Sequence, residues 1–445
     1  MRTFLSGASF TTYGCRGLVL CLCLFAQRGK AETPLLPGEV VQVALQYSPL
    51  LKQYAEEISV ARSRLDQAEG GGLPQVDARV QSLHFEGLKN EPVGGGEPLP
   101  VIENQSQASL GVTQLLYAGG RIAAQKRNAT LLGQSVQTSR QAAVADIRLQ
   151  TLVAYWTWSK ALTLESSLTD AVNRVESYQL DTRHFRQAGL VTDNEVLAAD
   201  VLVAQTRLRM EEARRQVAIA RIRLGRIMGQ PVPEAVNPLL VTTEYQAQWG
   251  ASVTAGQKTS TNRLEIEAAR LELQAAQARV AVAQGDTRPQ VSWVARLEEG
   301  RPNLRDFPPL DEWKDDAYIG IALQWAVWDG GVSRSRMAEA RARVRQAEWR
   351  IQDIQDGIAS QIDEARVSLH YAISSEKTAG EAEQCARLAL DSVKASWKEG
   401  LARSSEVLDS QSKLTDAATQ RILAQTDILL AETFYLHALG QLQEP

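Results

Sequence analysis

The sequence has little cysteine and little histidine, and after its first thirty residues it has no long apolar run. Of its four cysteines, Cys15, Cys21 and Cys23 crowd into the first 31 residues, and Cys385 stands alone in the remainder. A single thiol forms neither an intrachain disulfide nor a cysteine metal site. His84, His184, His370 and His437 are scattered, and no pair shows metal-ligand spacing. The glycine stretches Gly70–Gly72 and Gly94–Gly96 lack the Lys-Ser/Thr of a phosphate loop. Neither an enzyme nor a bound cofactor is expected. Beyond residue 31 no segment approaches the ~20 apolar residues of a membrane helix. Positive charge is not in excess either. The formal net charge is −4, which argues against nucleic acid as a partner.

What is present begins with a secretion signal. Arg2 and Arg16 precede the apolar run 17–26, and Gly29-Lys30-Ala31 has the small-x-small form of a cleavage site. Residues 1–31 are therefore expected to be a signal peptide, with Glu32 the first mature residue. Those residues carry Arg2, Arg16, Arg28 and Lys30 and no acid, so removing them takes the net charge from −4 to −8. The contexts of Cys15 and Cys23 are poor for acylation.

The mature chain is organised around a stretch that occurs twice. The first copy is Gln187-Ala188-Gly189-Leu190-Val191-Thr192-Asp193-Asn194-Glu195-Val196-Leu197. The second is Lys398-Glu399-Gly400-Leu401-Ala402-Arg403-Ser404-Ser405-Glu406-Val407-Leu408. In each, Gly suits a left-handed C-cap, a hydroxyl can cap the next N-terminus, and a first-turn Glu suits the positive end of that helix. Each copy reads as the tip of a helical hairpin. Gly189 and Gly400 are 211 residues apart, as are Gly119-Gly120 and Gly330-Gly331, and Gly229 and Gly440. One supersecondary unit is duplicated, and neither half is expected to bury its apolar face alone. The expected divisions are 32–230 for the first repeat, 231–260 for a linker or equatorial segment, and 261–445 for the second repeat.

Each repeat opens with a helix, over 37–70 and again from Asn262 to Gln284. A strand pair follows, within 74–117 and within 289–328. Val76, Ala78 and Val80 alternate with Asp77, Arg79 and Gln81, and Ala108, Leu110 and Val112 behave likewise. Under the 211 register these last three become Ile319, Ile321 and Leu323, so the apolar face is kept. Trp325 extends that face. Arg121–Gln187 then runs without proline and with Gly133 as its one glycine. Leu132, Ala143 and Ala154, and Val136, Ile147 and Trp158, recur at eleven-residue steps, close to the period of a straight helix. About seventy residues at ~1.5 Å rise give a rod of roughly 100 Å. Tyr155, Trp156 and Trp158 are expected to be packing residues within it. The tips near 187–195 and 398–406 turn each long helix into a return helix.

Four strands of about ten residues, apolar on one face and polar on the other, match membrane β-strands. The same pattern fits a small soluble sheet capping a coiled coil. Four strands cannot close a barrel, and lipid does not tolerate open edges. Two copies would give a filled eight-stranded barrel, and three would give twelve strands around a lumen. If the chain forms a pore, it is a homotrimer.

The chain resembles the TolC-type outer-membrane efflux family. The resemblance is carried by the Pro-Gln-Val strand starts at Pro74 and Pro289, the aromatic-x-Gly-Gly turns Tyr117–Gly120 and Trp328–Gly331, and the Gly-Leu…Glu-Val-Leu tips. It implies a mainly α fold with a membrane β-barrel: a trimeric twelve-stranded barrel in outer-membrane lipid above a periplasmic tunnel of long helical hairpins. It also implies an inner-membrane transporter as pump and a periplasmic adaptor. The tips would close the pore. Glu406 and Asp409, three apart on one helical face, match the family's acidic constriction, and Glu195 is the aligned acid of the first tip. Ordinary readings compete: Glu406 as a helix-dipole partner and Asp409 as a solvated acid. Gly189, Leu190, Gly400 and Leu401 are expected to dock the adaptor, or else to cap and pack the hairpins. The rival to a channel is a soluble periplasmic coiled-coil adaptor or scaffold without a pore.

Overall fold

A computed structural model describes residues 35–87, 101–234, 236–238, 263–303, 305 and 310–442. The expected signal peptide, residues 88–100 and most of the 231–260 segment lie outside the described residues. The chain runs α1 (Pro37–Tyr47), α2 (Pro49–Gly70), β1 (Gln75–His84), β2 (Asn104–Tyr117), α3 (Arg121–Gln187) and α4 (Asp193–Met228). It continues through α5 (Leu264–Gly285), β3 (Gln290–Arg301), β4 (Lys314–Gln324), α6 (Val332–Lys398) and α7 (Ser404–Ala438). The element order repeats, and so do the glycines that punctuate it. Gly119, Gly120, Gly189 and Gly229 have positive φ, as do their partners Gly330, Gly331, Gly400 and Gly440. A Cβ is strained in that region, and glycine has none.

α3 and α6 each hold 67 residues, about 100 Å of helix. The return helices α4 and α7 have 36 and 35 residues. They reach about half way back, where α2 and α5 complete the layer. The first helix differs from the single 37–70 element the sequence suggests. It breaks at Ser48, because Pro49 disfavours helical backbone in the residue before it. Ser48 takes φ −41°, ψ 115°, and its hydroxyl accepts a hydrogen bond from Leu51 N.

α3 is the central rod. It packs against α1, α2, α4, α5 and α7, whereas α6 packs against α5 and α7. Its buried positions follow eleven-residue steps: Ala124 and Ser135, Leu131 and Ala142, Ile147 and Trp158, Ala161 and Val172. Leu132, Val136 and Ala154, expected within the stripe, lie at its half-buried margin. The principal core sits at mid-height. There Tyr155, Trp156 and Trp158 of α3 meet Val40 and Val41 of α1, Leu224 and Met228 of α4, and Leu429 of α7. The Tyr155 hydroxyl donates to Leu35 O at 2.6 Å. Arg263, buried at the start of α5, donates to the carbonyls of His437 and Ala438 at the end of α7 and pairs with Glu265.

Glu432 of α7 is buried, and its Oε2 has no hydrogen-bond partner. Desolvation penalises the charged form and raises its pKa from the ordinary 4.5 to about 7. Between those values the folded chain keeps the proton and the unfolded chain has released it. Stability from this group is therefore full below about 4.5 and is lost as pH rises through about 7. The slope in that window is about 1.4 kcal/mol per pH unit. Glu432→Gln should flatten the fall in thermal midpoint across it. A variant that keeps the wild-type slope would show that another group is responsible.

Candidate functional site

Two parts of the molecule carry chemistry beyond packing: the sheet at one end of the long helices and the hairpin tips at the other. The sheet has order β1-β2-β3-β4 and is antiparallel throughout. Its register aligns one apolar face across all four strands. Val76, Val112, Ala295 and Ile319 form one row, and Ala78, Leu110, Leu297 and Ala317 the next. Trp293 and Ile321 follow, then Val291 and Leu323. This face lies bare: Val80 is 83% exposed, Ile321 72% and Leu323 66%. At the far end it is bounded by the facing acids Glu299 and Asp315. Trp325 falls just beyond β4, where its indole N–H donates to Thr287 O. Among the described residues, the outer edges of β1 and β4 pair with no strand.

The opposite face is polar. Asp77 of β1 reaches Arg296 of β3 at 3.3 Å across the intervening β2. Gly111 lies directly between them in register. A Cβ there would sit 2.8 Å from Asp77 Oδ1 and 3.1 Å from the Arg296 guanidinium. The glycine leaves room for the ion pair to cross.

At the first tip, Gly189 N donates to Arg186 O and Leu190 N to Phe185 O, at 3.0 and 2.9 Å. Thr192 and Glu195 form a capping box at the start of α4, with Glu195 Oε2 accepting from Thr192 N at 2.7 Å. Arg186 holds Asp193 through two hydrogen bonds, which lowers the Asp193 pKa. At the second tip Gly400 N donates to Trp397 O and Leu401 N to Ser396 O. No hydroxyl caps α7, however. Arg403 occupies the N-cap without a side-chain bond. Ser404 lies inside the first turn, buried, and receives the Tyr178 hydroxyl from α3 at 3.0 Å. Burial raises the Tyr178 pKa, and the Ser404 hydrogen bond opposes that shift.

Tyr178 also touches Trp397, with ring centroids 5.0 Å apart, and Phe185 meets Trp397 at 4.8 Å. With Ala199, Leu390, Val407 and Leu414 these rings form a second core just above the tips, drawn from all four hairpin helices. The repeat pattern conceals it, because Arg186 stands 211 residues before Trp397.

Glu406 and Asp409 are exposed together on α7, and Lys413 pairs with Asp409 at 2.6 Å. The i,i+4 spacing gives Lys413 away in the sequence. Glu195 is engaged in its own cap rather than gathered with them. Leu190 and Leu401 are 71% and 78% exposed. A Cβ built on Gly189 or Gly400 would meet no atom within 4 Å. Both tips thus present a bare backbone beside an apolar side chain. Among the described residues no helix is long and apolar enough to cross a membrane, and no histidine, cysteine and carboxylate group could hold a metal.

Comparison with known proteins agrees with this architecture. The family model for the outer membrane efflux protein matches residues 40–230 and 255–441. Over 436 residues the chain is 23% identical to outer membrane protein TolC of Salmonella enteritidis, covering 96% of this chain and 85% of that protein. The CmeC outer membrane channel of Campylobacter jejuni superposes with a TM-score of 0.75 at 16% identity, covering 92% of this chain and 87% of that one. The outer membrane protein VceC of Vibrio cholerae superposes with a TM-score of 0.74 at 19% identity, covering 91% and 96%. The duplicated hairpins, the four-stranded sheet and a family match over most of its length agree: this chain belongs to the outer membrane efflux protein family and is a TolC-like protein of the cell outer membrane.

Proposed function

We propose that three copies of this chain form the outer-membrane duct of a tripartite efflux or type I secretion system. The duct is passive and catalyses no reaction. It receives substrates from an inner-membrane transporter through a periplasmic adaptor and extends into the periplasm. The observation that carries this reading is the sheet, with a bare apolar face, a charged opposite face and two edges that pair with no strand among the described residues. In lipid every strand edge must be paired. β1 of one copy on β4 of the next meets that demand, and three copies give twelve strands with the polar face inward. Further support comes from α6, where Trp349, Tyr371 and Leu388 stand exposed on a helix that few neighbours cover. A soluble adaptor or scaffold has no use for such a sheet. The reading is tested by purifying the membrane protein and measuring its mass in detergent and its conductance in planar bilayers. A monomer that forms no pores would refute it.

In this assembly each Glu406/Asp409 face recurs three times around the tunnel end, making an acidic constriction able to select cations. Glu195 adds an acid at the first tip. The adaptor docks on Gly189-Leu190 and Gly400-Leu401. Burying one such leucine is worth about 1.5–3 kcal/mol, and six near-equivalent tips add by multivalency.

Leu110→Arg or Leu323→Arg should impair assembly in the membrane, since a midplane arginine on a lipid face costs roughly 2–4 kcal/mol per chain. Normal amounts of embedded trimer in either variant would argue against the lipid-facing assignment. For the constriction, Glu406→Asn with Asp409→Leu is expected to weaken cation preference and block by multivalent cations. Unchanged selectivity and block would leave these acids as surface residues. For docking, Leu190→Asp with Leu401→Asp should abolish adaptor crosslinking and export while conductance survives. Crosslinking that persists, or a trimer that falls apart, would make the tips structural caps.

A further inference from the structure

After β3, the described residues Pro302, Asn303 and Arg305 lie over the polar face of the sheet, at the end away from the helices. Pro302 and Asn303, which follow β3, are buried. The Asn303 amide donates to Asp316 at 3.0 Å, and its Oδ1 accepts from Arg305 N at 3.0 Å. The Arg305 guanidinium pairs with Glu298 at 2.8 Å and with Asp316, and it lies 5.2 Å from the centre of the Tyr318 ring. Arg301 and Asp311 close the base of the connection through two further hydrogen bonds, at 2.9 and 3.2 Å. Beneath the turn is a cavity of about 270 Å³, lined from β1 and β2 by Gln81, Gln105 and Gln107.

Glu298 and Asp316 are direct partners in the β3–β4 register. Like charges directly opposite each other destabilise a strand pair. Arg305 joins the two carboxylates. Its planar fork offers parallel donors to both, and its flat face stacks on Tyr318. The strand pair therefore needs the arginine, and the arginine brings Asn303 with it onto the polar face.

We propose that Arg305 fixes Pro302, Asn303 and itself as a collar inside the outer mouth of the barrel, and that this collar sets the width and charge of the exit. The inference rests on the reading above that the polar face lines a lumen. Three copies would place three collars around one opening. Losing Arg305 would detach the collar and remove the cation shared by Glu298 and Asp316, leaving Glu298 with Arg296 at 3.9 Å as its remaining basic partner.

The test is single-channel recording of the purified full-length protein in planar bilayers. Arg305→Ala should raise conductance about twofold because the exit widens, and increase cation preference because each chain loses the cation beside Glu298 and Asp316. Adding Glu298→Gln restores the net charge without restoring the collar. The double variant should keep the raised conductance and return towards wild-type selectivity. An Arg305→Ala channel with wild-type conductance overturns the proposal, as does a double variant whose conductance returns to the wild-type value. If Arg305→Ala does not assemble, Arg305→Lys keeps the charge but cannot span both carboxylates. Its conductance must then exceed wild type, and equality overturns the proposal. Absence of channels from the wild-type protein would instead refute the barrel reading.

Discussion

The outer edges of β1 and β4 impose the constraint from which the rest of the molecule follows. Each is a row of backbone donors and acceptors that no strand within the described chain satisfies. Beside them lies an apolar face that water does not favour, with Val80, Ile321 and Leu323 largely uncovered. Lipid suits the face but makes an unpaired edge intolerable. Pairing edges between copies resolves both demands together and explains why the polar residues gather on the other side. Gly111 belongs to the same solution. By omitting a side chain it lets Asp77 and Arg296 neutralise each other on a surface that would otherwise carry separate charges.

Below the sheet, the helices answer a different problem. A rod of 67 residues has too narrow an apolar stripe to stand alone. α3 is covered on several sides by its own chain and buries Tyr155, Trp156 and Tyr178 completely. α6, its equal in length and its partner in the repeat, is left largely open. The duplication is thus symmetric in backbone and asymmetric in burial. The same asymmetry reaches the tips. At the first tip the Glu195 carboxylate accepts from both Thr192 N and the Thr192 hydroxyl, whereas at the second Ser404 is held by Tyr178 from the other hairpin and caps nothing. Both tips are closed by the same local backbone bonds, and the second is held in addition by a contact between hairpins.

Much of this was legible from residue order because it depends on neighbours in the chain. Positive φ at Gly189, Gly229, Gly400 and Gly440 follows from local sterics, and a spacing of 211 residues exposes it. The alternation of Val76, Ala78 and Val80 is a period-two signal that one strand carries by itself. The Ser48-Pro49 break was equally local, although a single helix over 37–70 was expected across it. The pairing of Asp409 with Lys413 was available from i,i+4 spacing.

The sequence by itself determined the lengths of the helices, the places where they turn and the two faces of each strand. These follow from backbone sterics and from side-chain period. The tertiary structure decided where around α3 the buried stripe runs, taking Leu131 and Ser135 inside in place of Leu132 and Val136 while keeping Ala143, Ile147 and Trp158. It also joined Tyr178 to Ser404 and Trp397, and laid Arg305 across Glu298 and Asp316. An eleven-residue period fixes the spacing of a stripe but not its angle about the helix, and neighbouring helices set that angle. Contacts between residues more than two hundred positions apart, such as Tyr178 and Ser404, leave no trace in local pattern. They exist because two hairpins, each unable to cover itself, were folded against one another.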